Sequence, residues 1–188
     1  MLPLFLAATS RYRSAMRRRS IVVARSTFGG IATYPLACNR HDAGILVESV
    51  APASVDRDVA RVRAATAKFK VVDVAIAAGY PRTTDCVQYP PHGAMGFHFQ
   101  NNALLDTTLD VEQPEVLVYE RMPDGTFKLN GVEYLVPISA WTSEEPPTIM
   151  GQKLKRADKL GIWYLHVWTW EPSPSGIFAD WNPRVKCS

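Results

Sequence analysis

The chain has 188 residues and 20.9 kDa, with 47% apolar and 21% charged residues, which suits a single soluble domain able to bury a core. Its formal net charge of +3 is unevenly spread: residues 1–40 hold seven arginines and no acidic residue, leaving −4 on the remainder. A nucleic-acid role would need basic residues on the folded body, and the charge distribution argues against one. No Walker-type or Rossmann-type glycine pattern is present either, so no nucleotide cofactor is expected.

The amino-terminal leader reads as an export signal. Residues 1–8 are apolar but far short of the roughly 20 residues that cross a bilayer. From Met16 onward the order is positive, weakly apolar (Ile21 to Ala24), then small residues, as in a secretory signal. Arg18-Arg19-Ser20-Ile21-Val22 resembles a twin-arginine signal. Pro35-Leu36-Ala37-Cys38 resembles a lipoprotein cleavage box, with Cys38 as the lipid-bearing residue. The alternative is a disordered basic tail, or a start codon assigned too far upstream. The expectation is a leader over 1–50, a single α+β domain over 51–188, and an extracytoplasmic location: secreted, periplasmic or lipid-anchored.

Ser54 suits a helix N-cap, with Asp56 and Asp58 in the first turn. Val55, Val59, Val62, Ala65, Phe69, Val72 and Ile76 recur at spacings of three and four, which predicts one long helix to about Ala78. Gly79 and Pro81 then stop it. Residues 86–91 read as a loop. Residues 96–101 alternate as a strand, with Phe97 and Phe99 opposite His98 and Gln100. Strands follow at 116–120 and 127–137 around a Pro123-Asp124-Gly125 turn, and the last strand covers 162–170. The polar stretch 143–159 predicts a long surface loop that could act as a lid over a site. The sum is a helix packed on an antiparallel sheet of four to five strands.

Cys86 and Cys187 are candidates for a disulfide in an oxidising compartment; the alternative is two unrelated buried thiols.

Strand alternation turns His98, Glu133 and His166 away from their aliphatic neighbours, so all three could line one face of the sheet. Two imidazoles and a carboxylate suit a first-row metal (copper, zinc or iron) and leave positions open for a small-molecule ligand. Tyr134 and Tyr164 are candidates for the open position, while Trp168 and Trp170 are candidates for an aromatic wall. Met95 adds a thioether that would suit copper, and Asp106 and Asp110 are weaker acid/base or calcium candidates. Two alternatives stand beside the metal: a metal-free binding pocket, and a structural histidine–carboxylate contact. A metal-dependent oxidoreductase or hydrolase, an extracytoplasmic binding protein and an envelope-associated structural domain are therefore all open.

The run from about Ala64 to Cys187 resembles an uncharacterised family of exported bacterial proteins. The shared phrases, in order, are A-T-A-x-F/Y (Ala65 to Phe69), A-x-G-Y (Ala77 to Tyr80), Cys86, and M-G-x-H (Met95 to His98). They continue with L-x-D (Leu104 to Asp106), P-E-x-L-x-Y-E (Pro114 to Glu120), G-V-E-Y (Gly131 to Tyr134), L-H-V-W-x-W (Leu165 to Trp170) and W-N-P-x-V-x-C (Trp181 to Cys187). Ser173 departs from the pattern, which usually has Asn before Pro-x-Gly. The resemblance implies export and one fold, without supplying a reaction.

Overall fold

The computed structural model describes residues 52–187. The expected leader and Cys38 lie outside the described residues. Helix α1 (Pro52–Thr66) begins at a proline, whose missing N–H is no loss in a first turn. It therefore starts two residues before Ser54, and Asp56 and Asp58 fall beyond its first turn.

The long helix expected to reach Ala78 is not continuous. After α1 the chain tightens into a 3₁₀ turn (Ala67–Lys70), extends at Val71 (φ −93°, ψ 107°), and resumes as the short α2 (Val72–Ala77). The break has a visible cause. The hydroxyl of Tyr119 donates to the Phe69 carbonyl, which a continuing helix would have given to the N–H of residue 73. The break also rotates the apolar stripe. Val59, Val62, Phe69 and Ala75 are buried, whereas Ile76, expected on the same stripe, is exposed. α2 ends as predicted at Gly79, in the left-handed half of backbone space (φ 93°). Tyr80 N donates to Ala75 O and Gly79 N to Ile76 O, the paired bonds of a Schellman cap.

The sheet has six antiparallel strands, more than expected. They are β1 (Val87–Tyr89), β2 (Gly93–Gln100), β3 (Val116–Arg121), β4 (Phe127–Pro137), β7 (Lys155–Ala157) and β8 (Ile162–Val167), in the order β1-β2-β3-β4-β8-β7. The two additional strands, β1 and β7, are three-residue edges within stretches that read as loops. A separate hairpin joins β5 (Thr148–Ile149) to β6 (Gln152–Lys153), turning through Met150 and Gly151 at positive φ.

The two faces of the sheet have different company. Phe97, Phe99, Leu117, Tyr119, Val132, Tyr134, Val136, Trp163 and Leu165 form the main core with Val59, Val62 and Phe69 of the helical layer. Ile149, Met150 and Leu154 join this same core. The segment 143–159 is thus anchored by its apolar residues on the helix side, and its hairpin is no lid over the opposite face. That opposite face carries Val116, Val118 and Leu135, with Leu105, Ile162 and Tyr164 packed against them.

Gly96 allows β2 to lie close to β3. Its φ is 110°, and a Cβ there would sit 2.3 Å from the Tyr119 carbonyl oxygen. The carboxy-terminal segment packs back on the sheet: Ala94 and Asn182 exchange backbone hydrogen bonds, and Val185 is fully buried. Cys86 and Cys187 are joined by a disulfide with 5.6 Å between Cα atoms. Among the described residues no helix is long and apolar enough to cross a membrane.

Candidate metal centre

Strands β2, β4 and β8 bring the predicted residues together, with β3 lying between β2 and β4. In register, His98 faces Val118, Val116 faces Glu133, and Glu133 faces His166. Because side chains alternate, all three project from the face opposite the helical layer. Glu133 stands between the imidazoles. Its Oε1 is 3.0 Å from His166 Nδ1, and its Oε2 is 3.4 Å from His98 Nε2. One ligand atom from each residue lies within 4.8 Å of the others, so the cluster could hold a metal ion.

The cluster is buried: residue exposure is 9% for His98, 6% for Glu133 and 0% for His166. Burial opposes a charged Glu133, but the His98 charge and the hydrogen bonds from His166 and His98 outweigh it, and its pKa falls well below the usual carboxylate range. His98 shows the reciprocal balance. Burial pulls its pKa down, yet the charge and hydrogen bond of Glu133 raise it above the ordinary value. The carboxylate is therefore ionised at neutral pH.

The far side of each imidazole is different. His98 Nδ1 lies 3.0 Å from the Thr84 hydroxyl, which also accepts the His98 backbone N–H. His98 Nε2–H faces Glu133; with Nδ1–H kept on Thr84, a metal would displace the Nε2 proton and take its lone pair, the usual outer-shell arrangement of a metal-bound histidine. His166 packs against the Trp168 ring (4.3 Å between centroids), and its buried Nε2 has no hydrogen-bond partner among the described residues.

Donor separations test the fit. Four-coordinate zinc with bonds of about 2.0–2.1 Å places neighbouring donors about 3.3 Å apart. The 3.0 and 3.4 Å separations, each to a different oxygen of Glu133, are close to that value and are also hydrogen-bond distances, while the three ligand atoms together are held within 4.8 Å.

The cluster is reached through a cavity of about 690 Å³ on the same face, lined by His98 and Glu133 but not by His166. Its apolar walls include Val116, Leu135, Ile162 and Trp181, and Met95 also lines it. Thr84 was hidden in sequence, because nothing local shows that its loop returns to His98. Trp181 is also part of the wall.

The aromatic candidates divide. Tyr164 lines the cavity, and its hydroxyl donates to Asp180 Oδ2 at 3.4 Å. Burial, with Asp180 adding to it, raises the Tyr164 pKa to about 12. Tyr134 instead points into the helix-side core and donates to Val111 O, so it does not reach the site. Trp168 lies beneath His166, packs with Ala94 and Val185, and donates to Ala179 O. Trp170 is on the helix side, because β8 ends at Val167 and its alternation stops there. Its Nε1 donates to Thr66, and Lys70 covers its ring. Asp106 and Asp110 accept backbone N–H groups two residues onward and build the turns of their own loop.

No family model, curated protein or solved structure matches the chain. The chemistry of the cluster is read from its own geometry.

Proposed function

We propose that this is an exported bacterial protein that binds a first-row transition metal through His98, Glu133 and His166, with a small molecule admitted to the remaining position from the cavity. The observation that carries the reading is the convergence of the three donors from β2, β4 and β8, within 4.8 Å, beside a largely apolar cavity that His98 and Glu133 line. Copper, zinc and iron all accept this donor set. The metal would supply Lewis-acid or redox chemistry, suiting a hydrolase or an oxidoreductase, while Glu133 neutralises charge and Thr84 orients His98.

Export is supported by the arginine-rich leader sequence and by the Cys86–Cys187 bridge, since such bridges persist in oxidising compartments. The ordered phrases from M-G-x-H to W-N-P-x-V-x-C support membership of the exported bacterial family that they resemble. A second reading, a metal-free binding pocket, is favoured by one observation: Glu133 already contacts both imidazoles.

Cobalt(II) titration of the chelator-treated protein separates the two. The metal reading expects visible d–d bands saturating at about one equivalent, lost in His98→Ala and weakened in Glu133→Gln. Absence of bands in the wild type, or bands unchanged in both variants, overturns it in favour of the metal-free pocket.

A further inference from the structure

We infer that the cavity above His98 and Glu133 binds an uncharged, largely apolar small molecule that presents a single polar group to those two residues. The inference deepens the proposed function of the same site, but it rests on the cavity walls and not on a bound metal.

Size is the first consideration. About 690 Å³ lies within the range of small-molecule pockets, roughly 300–1,000 Å³, and is more than a metal with its waters needs. Wall chemistry is the second. Among the described residues no lysine, arginine or aspartate lines the cavity, and the one carboxylate there, Glu133, is already engaged by two imidazoles. Lys155, nearby, is held by Asp180 at 2.6 Å. An anionic ligand would therefore lose its hydration beside Glu133 without gaining a counter-ion.

The remaining polar groups are mostly occupied within the protein. The Thr83 hydroxyl donates to His98 O, the Thr84 hydroxyl contacts His98 Nδ1, the Gln100 amide donates to Asn102, and Tyr164 donates to Asp180. Glu133 keeps acceptor capacity, since an ionised carboxylate has about four lone-pair sites and each of its oxygens contacts one imidazole. A ligand's polar group is therefore directed to Glu133 beside His98, and its body to Val116, Leu135 and Ile162.

The rim repeats the preference. Leu160 lines the cavity at 73% exposure, and Tyr89, 55% exposed and outside the lining, leans on the wall residue Trp181 with ring centroids 5.6 Å apart. An exposed apolar side chain lining a cavity, as Leu160 does, suits the entry of an apolar ligand.

The test uses the full chain in excess chelator, so that loss of metal and loss of ligand binding are read separately. The probe is N-phenylnaphthylamine, a neutral fluorophore, followed by its own emission and by quenching of tryptophan. One probe per chain is expected, displaced by decanol but roughly tenfold less readily by decanoate. Ala157→Trp, which fills the cavity, is expected to weaken the probe by roughly tenfold, and Leu160→Arg at the exposed mouth by roughly fivefold. Circular dichroism confirms the fold, and Leu160→Arg carries the test if Ala157→Trp does not fold. The inference is overturned if the wild type takes up no probe, if folded variants bind it unchanged, or if decanoate competes as well as decanol. The cobalt result stands or fails independently of these outcomes.

Discussion

Glu115 offers a pH test of how this sheet is assembled. Its side chain is 1% exposed, and its Oε2 accepts the backbone N–H of Leu135. Burial dominates and raises its pKa from 4.5 to about 8; the Leu135 and Glu115 N–H groups pull it down, and Asp106 and Asp110 add to the rise. The sign follows directly. Between pH 4.5 and about 8 the folded protein holds a proton that the unfolded chain has released, so stability is greatest below pH 4.5 and is lost as pH rises towards 8. At 1.36 kcal/mol per unit, the loss between pH 5 and 8 is about 3–4 kcal/mol. Glu115→Gln keeps an oxygen acceptor for Leu135 and removes the titration. Urea unfolding of both proteins at pH 5, 6, 7 and 8 measures the difference directly, since other titrating groups are common to both. The variant should match the wild type within about 1 kcal/mol at pH 5 and exceed it increasingly towards pH 8. A difference that stays constant across this range refutes the assignment of a buried, protonated Glu115.

Removing the bridge with Cys86→Ser and Cys187→Ser should lower the unfolding free energy by about 4–5 kcal/mol, given the sequence separation of 101; a loss below about 1 kcal/mol in urea melts would mean that the bridge closes a region already held by other contacts. Gly96→Ala should cost roughly 3 kcal/mol or more, because the new methyl meets the Tyr119 carbonyl at an unfavourable positive φ, and a melting temperature unchanged from the wild type would contradict that close approach. Tyr119→Phe should cost about 1–3 kcal/mol by stranding the Phe69 carbonyl. Amide hydrogen exchange should then rise first in residues 67–77, and uniform acceleration across the sheet would count against a local role for this bond.

Much of the site was legible because strand alternation is a local property. His98 opposite Phe97 and Phe99, and Glu133 opposite Val132, place themselves once the strands are recognised. Convergence required register as well, and register is set by pairing across β3, which no single segment reveals. The helix was misjudged for a related reason. Its apolar stripe continues through Val72 in sequence, but Tyr119, 50 residues away, takes the Phe69 carbonyl and breaks the rod. Trp170 followed the alternation of β8 only while β8 continued; after Val167 its N–H pairs with Asn130 O and the indole turns to the helical layer. The edge strands β1 and β7 were missed because three residues, two of them exposed in each strand, carry little periodicity. Thr84 carries no local signal at all: its role comes from a loop folding back along β2.

The most direct test of the metal reading is elemental analysis of the full-length protein, purified from an oxidising compartment without a metal-binding tag. The His98→Ala and His166→Ala variants are measured beside it. About one equivalent of copper, zinc or iron in the wild type, lost in both folded variants, is the predicted result. A wild type that stays metal-free after reconstitution, or variants that retain the metal, would contradict a centre built from His98, Glu133 and His166.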